Sequence, residues 1–83
     1  MNEYDKIREL SNKTFYYMGN YSQLTIDLVQ KAEQLFTIKD KVRSEEFASL
    51  HYDVDNVLEV VNPLLLHDIE VLKELSKLLE SKY

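Results

Sequence analysis

The chain has 83 residues, a formal net charge of −5 and no cysteine. That length supports one domain and a small core, and the missing thiols exclude disulfides and thiolate metal sites, pointing to a reducing, cytoplasmic setting. The acidic balance offers no basic stripe for phosphates, so nucleic acid is not an expected partner. No apolar run, Leu64-Leu65-Leu66 included, approaches the length of a membrane span.

Apolar residues make up 45% and charged residues 30%, with a single glycine and a single proline. A chain so poor in turn residues is expected to be all-α, made of long helices with short connections. Two N-x-S/T triplets, Asn12-Lys13-Thr14 and Asn20-Tyr21-Ser22, matter only in the secretory path. No secretory leader precedes them, so neither is expected to carry a glycan.

The first expected arm covers residues 3–42. Alternating steps of three and four from Ile7 pass through Leu10, Thr14, Tyr17, Tyr21, Leu24, Leu28, Lys31, Leu35, Ile38 and Val42, nine of eleven apolar or aromatic. This is a heptad seam of the coiled-coil kind. Tyr16, Tyr17 and Tyr21 with Phe15 and Met18 form an aromatic-rich turn; Tyr17 and Tyr21 are seam residues and Phe15 flanks the seam, whereas Tyr16 falls on neither row and is the expected exposed anchor. Gly19-Asn20 interrupts the arm and is read as a soft spot, because the seam keeps its phase across it.

A turn is expected over residues 43–46, where the step from Val42 to Phe47 is five. Ser44 is placed to cap a new helix, with Glu45 and Glu46 in its positive first turn. The second arm, residues 47–82, carries a seam through Phe47, Leu50, Val54, Val57, Val61, Leu64, Asp68, Val71, Leu75 and Leu78, with Asp68 the polar exception. Asn62-Pro63 reads as a kink in it. The fold expected is therefore one domain over residues 1–83, a long antiparallel two-helix hairpin with heptad seams that completes a helical bundle by association. If Gly19 and Pro63 are true breaks, the alternative is a compact four-helix bundle.

A flanking row accompanies each seam: Leu58, Leu65, Leu72 and Leu79 on the second arm, and Phe15, Val29 and Phe36 on the first. A two-helix hairpin would leave these rows in water, so together with Tyr16 they form the expected interface with another helical chain or a second copy. Reversal near residues 44 and 45 sets Asp68 opposite Tyr21, whose hydroxyl is a suitable donor to a buried carboxylate.

His51 and Asp55 share a helix face, as do His67 and Glu70, but two ligands do not make a metal site. Asp53-Val54-Asp55-Asn56 lacks the glycine and closing glutamate of a calcium loop. No glycine-rich phosphate loop or nucleophile–base motif is present, so neither catalysis nor a cofactor is expected. Residues 1–42 hold six basic and six acidic side chains, whereas residues 43–83 hold four and nine. Between Ser44 and Leu72 there is no Lys or Arg. Glu45, Glu46, Asp53, Asp55 and Glu59 are thus the expected docking surface for a basic partner. The function expected is that of a non-catalytic structural or adaptor subunit of an oligomeric helical complex; a small helical regulator or inhibitor is the alternative.

Overall fold

A computed structural model describes residues 2–38, 43–60 and 66–82. Among these residues are four helices, α1 (Glu3–Tyr16), α2 (Gln23–Thr37), α3 (Ser44–Glu59) and α4 (Leu66–Glu80), with a 3-10 turn, Met18–Asn20, between the first two. Helices α1 and α2 pack as one pair and α3 and α4 as another, and α2 and α4 join the pairs. The result is a helical bundle with a radius of gyration of 12.0 Å.

Each helix start has a local chemical cause. The Asn2 side chain accepts the Asp5 N–H at 2.8 Å, with Glu3 and Asp5 in the positive first turn of α1. Ser22 caps α2 by accepting the Thr25 N–H. At α3 the cap lies one residue earlier than the sequence suggests: Ser44 is already helical, and the Glu46 carboxylate accepts the Arg43 N–H at 3.1 Å. Asn62-Pro63 lies outside the described residues.

The first arm is not one long helix. Helix α1 stops at Tyr16, and the Asn20 and Tyr21 N–H groups then bond to the Tyr17 and Met18 carbonyls in a tight corner. Gly19 lies in this corner without a positive φ, and a Cβ added to it would meet nothing within 4 Å, so the turn does not depend on glycine. A turn of this kind resets helical phase. In α2 the buried positions are Thr25, Ile26, Leu28, Val29 and Ala32, while Leu24, Lys31 and Ile38 of the extrapolated seam are exposed. Beyond Gly19 the extrapolated seam is thus buried only in part, at Tyr21, Leu28 and, less fully, Leu35.

The core is drawn from all four helices. Ile7, Val29, Val54, Leu72, Leu75 and Leu79 have no exposed surface at all. The width of the apolar faces, attributed above to a missing partner, is filled by the chain itself: Val29, Leu72 and Leu79 are buried, and Phe36 and Leu58 pack partly buried against the same cluster. Leu65 lies outside the described residues. Four helices of 14–16 residues supply the second layer that two long arms would have had to borrow.

Asp68, on the second seam, is fully buried. Its Oδ1 accepts the Ser22 main-chain N–H at 2.9 Å, and the Tyr21 ring packs edge-on against His67 with centroids 6.1 Å apart. The carboxylate thus sits one residue from Tyr21 and at the positive N-termini of both α2 and α4. The Phe47 ring meets the Phe36 ring edge-on, with centroids 5.4 Å apart.

Candidate functional site

Three surfaces carry chemistry, and the first is the outer face of α3. At about 100° per residue, Glu45, Ser49, Tyr52, Asp53, Asn56 and Glu59 fall on one side of the helix, with Glu46 and Asp55 at its margins; all eight are exposed. Arg43 stands beside this face, its Nε 3.5 Å from Glu45, with both side chains largely in water. Tyr52, 68% exposed, stands in the middle of the carboxylates. Sequence reasoning placed the acidic residues here but passed over Tyr52, although its spacing of seven from Glu45 and Glu59 was available.

At the margin of that face, α3 meets α4 through a polar triangle. The Ser76 hydroxyl donates to Asp55 Oδ1 at 2.8 Å and lies 2.9 Å from His51 Nε2, while His51 Nε2 is 3.1 Å from Asp55 Oδ2. These residue types invite comparison with a Ser-His-Asp relay, but the connectivity differs. In a relay the carboxylate and the hydroxyl sit on opposite ring nitrogens. Here both converge on Nε2, and the hydroxyl proton is committed to the carboxylate. The triangle fastens α3 to α4. The His51 side chain is only 14% exposed. His67 Nδ1 and Glu70 lie 3.9 Å apart on α4. Among the described residues no three His, Asp or Glu side chains gather as metal ligands would.

The second surface is the bundle end where α1 turns into α2. Phe15 and Tyr16, both on the expected interface, are exposed here, Tyr16 to 86%. Tyr17, Met18 and Leu24 join them, as do Val60 at the end of α3 and Leu66 at the start of α4. The Ser22–Asp68 bond brings α4's first turn to this end. Lys82 lies over the Phe47 ring while Ser76 meets His51 and Asp55, so α3 runs antiparallel to α4 and Val60 arrives there too.

The opposite end is ionic. Lys82 Nζ lies 3.0 Å from Glu3 Oε2 and 5.1 Å from the Phe36 ring centroid, and the Ser81 hydroxyl donates to Glu3 Oε1 at 3.0 Å. The bond from Lys82 holds the Glu3 carboxyl below its ordinary value of 4.5. A carboxyl lowered by folding stabilises the folded state above its unfolded pKa, and that contribution is lost as pH falls through the folded value. Glu3→Gln should therefore lower the melting temperature slightly at neutral pH and have no effect well below pH 4.5. Both side chains are partly in water, so the neutral-pH loss should stay within about 1 kcal/mol. Thermal melts at the two pH values measure the difference.

An open groove between α1 and α2, with Phe15 and Ile38 among its lining residues and Gln30, Glu33 and Gln34 on one side, brings together no acid–base or nucleophile pair. Among the described residues, no helix is long and apolar enough to cross a membrane. Comparison of the chain with family models, with characterised proteins and with solved structures finds no match.

Proposed function

We propose that this protein is a non-catalytic adaptor, a helical subunit that joins a larger protein assembly in a reducing intracellular compartment and docks through the outer face of α3. The observation that carries the reading is Tyr52, exposed among Glu45, Glu46, Asp53, Asp55 and Glu59 on a helix with no Lys or Arg after its cap. Carboxylates around an accessible aromatic ring suit a partner surface of Arg and Lys. The carboxylates steer the approach, and the ring gives a guanidinium a face to stack on. The same charge repels nucleic-acid phosphates.

A partner helix laid along α3 would contact residues at heptad-like spacing, so lengthwise coiled-coil packing is the contact geometry proposed. A second reading, a small regulator that binds its target reversibly, draws support from the self-contained core. A chain that buries Val29, Leu72 and Leu79 within itself has no need of a permanent partner to fold.

The test uses the protein that co-purifies with the full chain. Converting Glu45, Glu46, Asp53 and Asp55 to amides should slow association about tenfold or more at low salt and flatten its salt dependence. Tyr52→Ala should raise the dissociation rate, and the melting temperature should move little in both variants. Wild-type association rates in the amide variant at low salt would remove α3 as the docking face.

A further inference from the structure

At the ionic end of the bundle, the Lys82 ammonium, just past α4, reaches a residue of each of the other three helices. It lies 3.0 Å from Glu3 Oε2 on α1, 5.1 Å from the Phe36 ring centroid on α2 and 5.9 Å from the Phe47 ring centroid on α3. The two rings stand edge-on to each other, Phe47 buried and Phe36 partly so. The other Glu3 oxygen, Oε1, faces the Ser81 hydroxyl at 3.0 Å, so two consecutive residues after α4 hold one carboxylate.

A lysine at a surface ordinarily lays its stem on apolar groups and lifts its ammonium into water. The Lys82 side chain is only 34% exposed. Holding it there costs rotamer freedom and part of the hydration of its charge. What offsets these costs is electrostatic, a carboxylate on one side and two aromatic rings on the other. This end is therefore closed by charge more than by buried apolar area. Partly exposed ion pairs are weak and screened by salt, and local unfolding begins where few apolar contacts oppose it.

We propose that Lys82 is a charge-controlled latch on the bundle. With its ammonium seated between Glu3 and the two phenylalanine rings, the first turn of α1 and the last turn of α4 stay closed as one unit. Withdrawal of the ammonium releases both turns together and uncovers the Phe36–Phe47 pair. Lys6 also favours the Glu3 carboxylate from within α1, and Lys77 of α4 lines the same groove. The decisive variant is therefore one that removes the Lys82 charge and leaves its neighbours in place. The latch makes no use of the α3 docking face, and neither assignment depends on the other.

Amide hydrogen exchange of the full chain reads the two turns separately. The Lys6 N–H, bonded to the Asn2 carbonyl at 3.1 Å, reports on α1, and the Lys82 N–H, bonded to the Leu79 carbonyl at 3.0 Å, reports on the end of α4. Lys82→Met keeps an apolar stem and removes the charge. It is expected to lower the protection of the Lys6 amide about fivefold or more, although the two residues stand at opposite ends of the fold's sequence. Glu3→Gln should in turn lower protection at Lys82. The double variant should lose no more than the more affected single variant, because either change alone withdraws the ammonium. Lys82→Arg, whose guanidinium can pair with Glu3 and stack on the rings, should stay close to wild type. Salt at about 1 M should lower Lys6 protection in wild type and have little effect in Lys82→Met. Two results would each overturn the proposal. One is wild-type protection at Lys6 in Lys82→Met. The other is a pair of effects that stay each on its own helix and multiply in the double variant, as two independently fraying ends would show.

Discussion

Leu72→Glu is expected to abolish the cooperative thermal transition of this protein, with helix content collapsing in circular dichroism. Leu72 has no exposed surface and packs in a core to which every helix contributes. The substitution removes about 2–3 kcal/mol of apolar burial and forces a carboxylate with no prepared partner into the same space, at several kcal/mol more. At about 0.05–0.15 kcal/mol per residue, a domain of this size has about 4–12 kcal/mol in total, so the loss consumes most or all of it. Leu72→Ala, which only leaves a cavity, should cost about 2–5 kcal/mol and keep a measurable transition. If Leu72 were an interface residue of an associating hairpin, the glutamate variant would instead be a helical, cooperatively melting monomer. Circular dichroism with light scattering separates the two outcomes.

The second large effect is expected at Asp68. Removing its carboxylate with Asp68→Ala strips the Ser22 N–H of its acceptor in a buried setting and leaves a cavity beside the α2 N-terminus. Hydrogen bonds to charged groups are worth about 1.5–3 kcal/mol, and an orphaned buried donor carries its full desolvation cost. A loss of about 2–4 kcal/mol is expected in chemical denaturation. Amide hydrogen exchange should quicken at Ser22 and across the first turn of α2 before it does in α3. Asp68→Asn keeps an acceptor oxygen of the same shape and should recover a substantial part of the loss. Equal destabilisation by Ala and Asn, with no local change in exchange at Ser22, would show that this bond does not fasten α2 to α4.

The helical class of the fold was legible because it depends on local information. One glycine, one proline and apolar spacings of three and four leave a chain little else to become, and Glu45 and Glu46 mark the first turn of α3 by their charge. Of the candidate surfaces, the α3 carboxylates and the exposed Tyr16 were legible for the same reason: charge and helical spacing are written residue by residue. Tyr52, Val60 and Leu66 were not singled out. An exposed apolar side chain and a buried one look identical until the burying surface is known.

What the sequence by itself determined, then, is the helical content, the acidic first turn of α3, the one-sided charge of the second half and the presence of a polar residue in an apolar row. Only the tertiary structure decided where the chain reverses, because a seam that continues in phase across Gly19 and one that restarts there can be written with the same residues. Long-range contacts break that tie: Ser22 on Asp68, Phe36 on Phe47 and Lys82 on Glu3 bring together residues far apart in the chain. They also decided that Leu72 and Leu79 lie within the chain's own core while Phe15 faces outward. The physical reason is that periodicity records how wide an apolar face is, whereas what covers that face is set by the direction in which the next helix returns.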